Sequence, residues 1–157
     1  MTFPRKALMS LMAALILPAA LAVYAQTEKD VIGTWKLDLS RSSFSATRGA
    51  PDDVVIQFEQ EGGFLRETIK VVNTAGETTR TINYALDGSE TVNGSGDERV
   101  KTKILHNAAT IVLEWIDEGG LFTRTLTISN DHRTLSIKAH DSNPDVQADD
   151  LIVLQRQ

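Results

Sequence analysis

The chain has 157 residues, contains no cysteine and carries a net charge of −5 at pH 7. The lack of cysteine excludes disulfides, thiol catalysis and cysteine-based metal sites. The negative charge argues against partners such as nucleic acids or anionic membrane surfaces. The length suits a leader followed by one domain that buries a sizeable core without crosslinks.

The first segment has the pattern of a secretory signal. Arg5 and Lys6 precede an apolar stretch over residues 7–23, and Val23-Tyr24-Ala25 offers a cleavage site before Gln26. We therefore expect residues 1–25 to be a helical signal peptide of the general secretion route. Residues 26–157 would then be a periplasmic or secreted domain, with no stable membrane insertion after cleavage. The alternative is an uncleaved anchor, although the run is short for a bilayer span of about 20 residues.

From the first predicted strand onward, apolar and polar residues alternate with a period of two. Turn signals recur roughly every 8–12 residues, and no segment shows sustained helical periodicity. This pattern is typical of antiparallel strands with one buried and one solvated face. The predicted buried face contains Trp35, Leu37, Leu39, Val54, Ile56, Phe58, Leu65, Ile69, Val71, Ile82, Tyr84, Leu86, Val100, Ile104, Ile111, Leu113, Trp115, Phe122, Leu126, Ile128, Leu135, Ile137, Ala139, Ile152 and Leu154.

Five turns predict hairpins that keep these residues on one face. Paired residues share a face, so the loop length must bring apolar sets into register. The predicted loops are 61–62, 73–76, 107–108, 119–120 and 130–131. The predicted pairs are Phe58 with Leu65, Ile69 with Arg80, Ile104 with Ile111, Leu113 with Leu126, Trp115 with Arg124, and Leu126 with Leu135.

Successive hairpins make an up-and-down meander. We predict an all-β fold in which eight to ten antiparallel strands close into a barrel, because closure removes exposed strand edges. A two-sheet sandwich is the alternative. Three polar stretches are predicted as irregular: residues 41–53, residues 87–97 around a short strand at Thr91-Val92, and residues 141–149.

The first predicted strand carries the run Gly33-Thr34-Trp35-Lys36-Leu37, with Ser40 and Phe44 after it, and the chain ends in Ile152-Val153-Leu154-Gln155-Arg156-Gln157. These segments resemble the opening and the last strand of calycin barrels, the lipocalins and fatty-acid-binding proteins. The whole chain resembles small secreted bacterial lipocalin-like proteins. The resemblance implies that Gly33 and Trp35 close one end of the barrel and that Arg156 lies over the indole of Trp35. It also implies a small, largely apolar ligand inside.

Three features depart from that family pattern. Residues 41–53 are too few, and too rich in Ser, Gly and Pro, for a helix-turn-helix lid. The Arg-x-Tyr pair of fatty-acid-binding proteins is replaced by Ile152 and Leu154. The Thr-Asp-Tyr run of lipocalins is absent.

Four polar residues share the predicted buried face: Glu67, Arg80, Arg124 and His106. Buried charges must be paired or bind something. One interpretation is a polar patch that orients a ligand with an anionic or carbonyl end. The other is an internal salt bridge, or positions at the barrel rim. The candidate ligand contacts are Arg80, Arg124, Glu67, Tyr84, Phe58 and Phe122, with Val54, Ile56, Ile69, Ile82 and Leu113 as further walls.

No pattern indicates catalysis or a cofactor. His106, His132 and His140 are scattered without metal-ligand spacing, and His106 is expected to be exposed at a hairpin tip. Asp52-Asp53 and Asp149-Asp150 are solvated loop charges or weak calcium ligands. Asn93-Gly94-Ser95 matches a glycosylation sequon. The sequence therefore predicts a non-enzymatic protein that binds a small apolar molecule outside the cytoplasm. The alternative is a structural or interaction module of the cell envelope with a filled barrel.

Overall fold

The computed structural model describes residues 27–107, 109–143, 145–146 and 148–157. The predicted signal peptide at residues 1–25 lies outside these ranges. Within the described part of the chain, no helix has the length and apolar character needed to cross a membrane.

Ten antiparallel strands form one sheet that curves into a nearly closed barrel. Along the sheet the order is β4-β3-β2-β1-β10-β9-β8-β7-β6-β5. The all-β meander is therefore confirmed, and the barrel is observed in place of the two-sheet sandwich. The strands are β1 Gly33–Leu37, β2 Asp53–Glu61, β3 Phe64–Asn73, β4 Gly76–Ala85, β5 Thr91–Asn93, β6 Val100–Asn107, β7 Thr110–Asp117, β8 Gly120–Ile128, β9 Thr134–Asp141 and β10 Asp149–Arg156. Short 3-10 helices at Leu39–Arg41 and Gly96–Glu98 complete the elements between the strands.

The predicted faces of the strands are correct, but Leu39, predicted on the buried face, is exposed because it lies in the 3-10 helix after β1. Four of the five predicted registers are displaced by two residues. Only the pairing of Ile69 with Arg80 is observed as predicted. The observed pairs elsewhere are Phe58 with Glu67, Ile104 with Leu113, Leu113 with Arg124, Trp115 with Phe122, and Leu126 with Ile137. A shift of two returns every side chain to the same face, so hydrophobic alternation cannot detect it.

The barrel has two different ends, because antiparallel neighbours place successive connections at alternate ends. The closed end carries helical residues 27–31, the β2–β3 turn and the β8–β9 turn. The open end carries the connections that follow β1, β3, β5, β7 and β9. These two names are used below.

The closed end is sealed around Trp35, which has no exposed surface. Its indole Nε1 donates to the carbonyl of Val31 at 2.8 Å, and the Arg156 guanidinium carbon lies 4.2 Å from the ring centre. Arg156 also donates to the carbonyls of Ile32 and His132, each at 2.8 Å. The cation–π contact implied by the resemblance is thus present.

The short helical segment at residues 27–31 was not predicted from the sequence. Its Glu28 Oε1 lies 2.8 Å from His106 Nε2, and the His106 side chain is only 18% exposed. The expectation that His106 is exposed is therefore wrong, because the segment covers the β6–β7 turn at the closed end.

The two ends of the sheet, β4 and β5, meet without a backbone ladder. Side chains join them instead. The Asn83 amide donates to Asn93 Oδ1 at 2.8 Å, and the Asn83 carbonyl accepts from Asn93 Nδ2 at 3.0 Å and from Thr102 Oγ1 at 2.7 Å. Because β5 has only three residues, this closure stops near Asn83. Residues 76–81 of β4, toward the open end, are exposed.

Candidate functional site

The inner face of the barrel is filled toward the closed end and accessible toward the open end. On β4, Ile82 and Tyr84 have no exposed surface, whereas Arg80 is exposed. On β3, Glu67 is fully buried, whereas Ile69 is only partly buried. The barrel therefore opens about halfway along these strands.

Several predicted wall residues belong to the filled half. Phe58, a candidate ligand contact, has no exposed surface. Ile56, Ile82 and Leu113 are 2% exposed or less. The Phe58 ring packs in the core, because β2 carries it toward the closed end.

The accessible inner face is mostly apolar. We call it the open-end wall, and it consists of Leu37, Ile69, Val71, Trp115, Phe122 and Ile152, all partly buried. Trp115 and Phe122 meet edge to face, with ring centres 5.5 Å apart and an interplanar angle of 62°. Such a surface suits the apolar body of a small molecule.

A buried polar network underlies this wall. Arg124 Nη1 donates to Glu67 Oε1 at 2.7 Å, and Arg124 Nη2 donates to Glu67 Oε2 and, at 2.7 Å, to the Tyr84 hydroxyl. The Tyr84 hydroxyl donates to Glu67 Oε2 at 3.1 Å and accepts from the Trp115 indole N–H. Each carboxylate oxygen and the phenol are therefore satisfied within the protein.

The charges of the network are fixed by burial and by mutual attraction. Burial raises the pKa of Tyr84, so the phenol stays protonated and donates. Burial acts to lower the pKa of Arg124, but the Glu67 carboxylate outweighs it and the pKa rises above the ordinary value. The guanidinium stays charged.

For Glu67, Tyr84 and Arg124, this geometry distinguishes between a polar patch that orients a ligand and an internal salt bridge. Glu67, Tyr84 and Arg124 are 0%, 0% and 4% exposed, so the internal salt bridge is what the structure shows. Arg124 Nε is a buried nitrogen without a hydrogen-bond partner in the described protein. The network uses most of the donors and acceptors of these three residues and leaves them almost no accessible surface.

Arg80 behaves differently. It lies diagonal to Glu67 as predicted, but Glu67 pairs with Arg124. The Arg80 guanidinium carbon is instead 4.9 Å from the centre of the Trp115 ring, and that of Arg124 is 4.6 Å from the same ring. Arg80 therefore lies at the rim, as the second interpretation allowed.

Sequence reasoning missed Arg48, in the loop after β1. Its guanidinium carbon lies 4.5 Å from the centre of the Phe122 ring, and its nitrogens pair with Asp141 at 2.5 Å and Asp150 at 3.8 Å. Asp150 is buried and accepts from the Ser45 amide at 2.6 Å. The view of Asp150 as a solvated loop charge is therefore wrong. The sequence did carry a signal for this burial: Asp150 lies two residues before the apolar Ile152, so the two share a face of the strand.

A groove of about 780 Å³ adjoins Phe122 at the open end. It runs between the connections after β5, β7 and β9 and carries charges of both signs, among them Arg99, Lys101, Asp117 and Asp141. Among the described residues, no group of three or more His, Asp or Glu side chains could hold a metal ion.

A nearly closed ten-stranded antiparallel barrel, sealed at one end by a tryptophan, has the calycin-type fold. Similar solved structures include fatty-acid-binding protein 1 of Echinococcus granulosus, with a TM-score of 0.57, 12% identity, and coverage of 82% of this chain and 98% of that chain. A secretory abundant heat soluble protein of Ramazzottius varieornatus has a TM-score of 0.64, 12% identity, and coverage of 82% and 96%.

A third similar structure is a Schistosoma mansoni fatty-acid-binding protein in complex with arachidonic acid. Its TM-score is 0.54, with 15% identity and coverage of 83% of this chain and 98% of that chain. No protein-family model and no curated protein matches the chain. At these identities the likeness shows the fold alone.

Proposed function

We propose that this protein is a non-catalytic binding protein that acts outside the cytoplasm and holds a small, largely apolar molecule at the open end of its barrel. The observation that carries the proposal is the open-end wall, an inward-facing apolar surface that is only partly buried. Two of the similar structures are named as fatty-acid-binding proteins, one of them in complex with arachidonic acid. Those names support an apolar ligand for this barrel as well.

Binding is testable with a neutral fluorescent probe, N-phenyl-naphthylamine. We expect saturable binding of one probe per barrel and protection of Trp115 from acrylamide quenching. Trp35 is fully buried and should be quenched weakly with or without the probe. Absence of saturable binding to the folded protein would overturn the proposal.

Two neighbouring residues on β3 give a matched pair of variants. Val71 faces inward on the open-end wall, and Val72 faces outward; both are partly buried. Val71→Glu should weaken probe binding strongly, because it places a carboxylate on the apolar wall. Val72→Glu should leave binding unchanged. Equal effects of the two variants would place the probe elsewhere.

The extracytoplasmic location rests on the predicted signal at residues 1–25. Mass spectrometry of protein from the producing bacterium should give a chain that begins at Gln26, in the periplasmic or culture fraction. An intact chain in the membrane fraction would support the alternative of an uncleaved anchor.

One observation favours a second candidate, a structural or interaction module of the envelope. The closed half of the barrel is filled, and Glu67, Tyr84 and Arg124 satisfy one another. A folded protein that binds neither the probe nor any extractable small molecule would support this function over ligand binding.

A further inference from the structure

We propose that the ligand is an amphipathic anion, and that Arg80 holds its carboxylate or other oxyanion while Trp115 contacts its apolar body. This inference rests on the proposed function and names the chemical class of the ligand for the same site. It follows from which of the two inward-facing guanidinium groups has its charge neutralised by the protein.

The charge of Arg124 is already neutralised. Its side chain is 5% exposed and forms a two-pronged pair with Glu67, whose side chain has no exposed surface. An anion could reach Arg124 only by displacing Glu67 and leaving a buried carboxylate unpaired, which is strongly unfavourable. The polar network beneath the open-end wall therefore carries no net charge.

Arg80 has the opposite character. It shares the inner face with Ile82 and Tyr84 but is exposed. Among the described residues no carboxylate pairs with it, and its guanidinium carbon lies 4.9 Å from the centre of the Trp115 ring. A guanidinium offers five N–H donors in a planar fork that matches an oxyanion. Those of Arg80 are free to bind one.

The surroundings of Arg80 define the rest of the ligand. Ile69 lies directly opposite it across β3 and β4, and Trp115 continues into Phe122 through an edge contact at 5.5 Å. Arg80 pairs with β3 on one side, and its contact with Trp115 on β7 lies where the other edge of β4 has no hydrogen-bonded strand. An anionic head beside an apolar or aromatic body fits this arrangement.

A matched pair of fluorescent probes tests whether the site prefers an anionic ligand. Anilinonaphthalene sulfonate carries an anionic group on the same aromatic body that N-phenyl-naphthylamine presents without charge. We expect the wild-type protein to bind the anionic probe more tightly. Arg80→Gln should lower the ratio of the two affinities about ten- to hundredfold, the range of one charge-assisted contact. Arg80→Lys should give an intermediate ratio, because it keeps the charge but loses the fork.

Arg66→Gln is the control, because it removes the same charge from the outer face of β3, where Arg66 pairs with Glu61. It should leave the ratio unchanged. A ratio that Arg80→Gln does not alter, or a wild-type preference for the neutral probe, overturns the inference while neutral-probe binding still supports the proposed function. If the folded protein binds neither probe, both fail.

Discussion

The Arg156 guanidinium occupies the space that a side chain at Gly33 would need. A Cβ at Gly33 would lie 2.7 Å from Arg156 Nη1, and Gly33 has φ +133°, which side chains disfavour. Gly33 thus makes room for the guanidinium that covers Trp35, two residues further along β1. This relationship explains the Gly-x-Trp spacing as a device that seals the closed end.

Replacing Gly33 should loosen that seal. We expect Gly33→Ala to lower the free energy of unfolding by about 1–3 kcal/mol, since it adds backbone strain and displaces Arg156 from Trp35. Urea denaturation followed by tryptophan fluorescence measures this. The control is Gly63→Ala, where an added Cβ meets nothing within 4 Å and the change should stay within about 0.5 kcal/mol. Equal losses of stability in the two variants would contradict the role of Gly33 in sealing the closed end.

The buried pair of Glu67 and Arg124 should be strongly non-additive. Glu67→Leu or Arg124→Met alone should lower the free energy of unfolding by about 3–5 kcal/mol, because each leaves one buried charge without its partner. The double variant should lose much less than the sum, since neither charge is then present. Denaturant titration of the three variants gives the coupling energy. Additive losses would show that the pair does not act as a unit.

The same pair shows what the sequence could predict. Alternation placed Glu67, Tyr84 and Arg124 correctly on the inner face. It did not show that Glu67 would meet Arg124, because those residues lie on β3 and β8 and touch across the barrel. Contacts of that kind depend on how the strands are staggered when the barrel closes. The two-residue register shifts keep every side chain on its predicted face, so the alternation of apolar and polar residues could not reveal them either.

Loops and the first helical segment were predicted less well. Residues 27–31 are too few to show a helical period, and isolated helices of that length are marginal. The segment is held by Arg156 and by the Trp35 indole. The contacts of Arg48 with Phe122 and Asp150 join a loop to distant strands, so local composition could not predict them.

The side-chain closure between β4 and β5 should depend on Asn93. Its amide is buried and bonds both to the Asn83 backbone and, at 2.8 Å, to Thr102 Oγ1. We expect Asn93→Ala to lower the free energy of unfolding by about 1–3 kcal/mol and to speed hydrogen exchange at the Asn83 amide. Asn130→Ala, at an exposed turn, is the control. Unchanged exchange at Asn83 would refute the closure.

The same hydrogen bonds bear on the glycosylation sequon at Asn93. The side chain is 8% exposed, and its amide nitrogen donates to Asn83 and Thr102. Expression of the folded domain in a glycosylating host should therefore leave Asn93 unmodified, as intact mass would show. A glycan at Asn93 in folded protein would mean that β5 detaches from β4.

Arg48 should anchor the loop after β1 to the open end. The Asp150 side chain is 3% exposed, so Arg48→Ala leaves a buried carboxylate with less compensation. We expect a loss of about 1–3 kcal/mol in the free energy of unfolding and faster hydrogen exchange at the Ser45 amide, which donates to Asp150.

Arg66→Ala separates this effect from the loss of an ordinary surface ion pair. Arg66 and its partner Glu61 are 40% and 61% exposed, and such pairs contribute about 0–1 kcal/mol. The Arg48 variant should therefore be the more destabilised, and only it should change exchange at Ser45. Asp150→Asn should speed exchange at the same amide, because an amide oxygen accepts more weakly than a carboxylate. Protection at Ser45 that survives both Arg48→Ala and Asp150→Asn would show that the loop is held by other contacts.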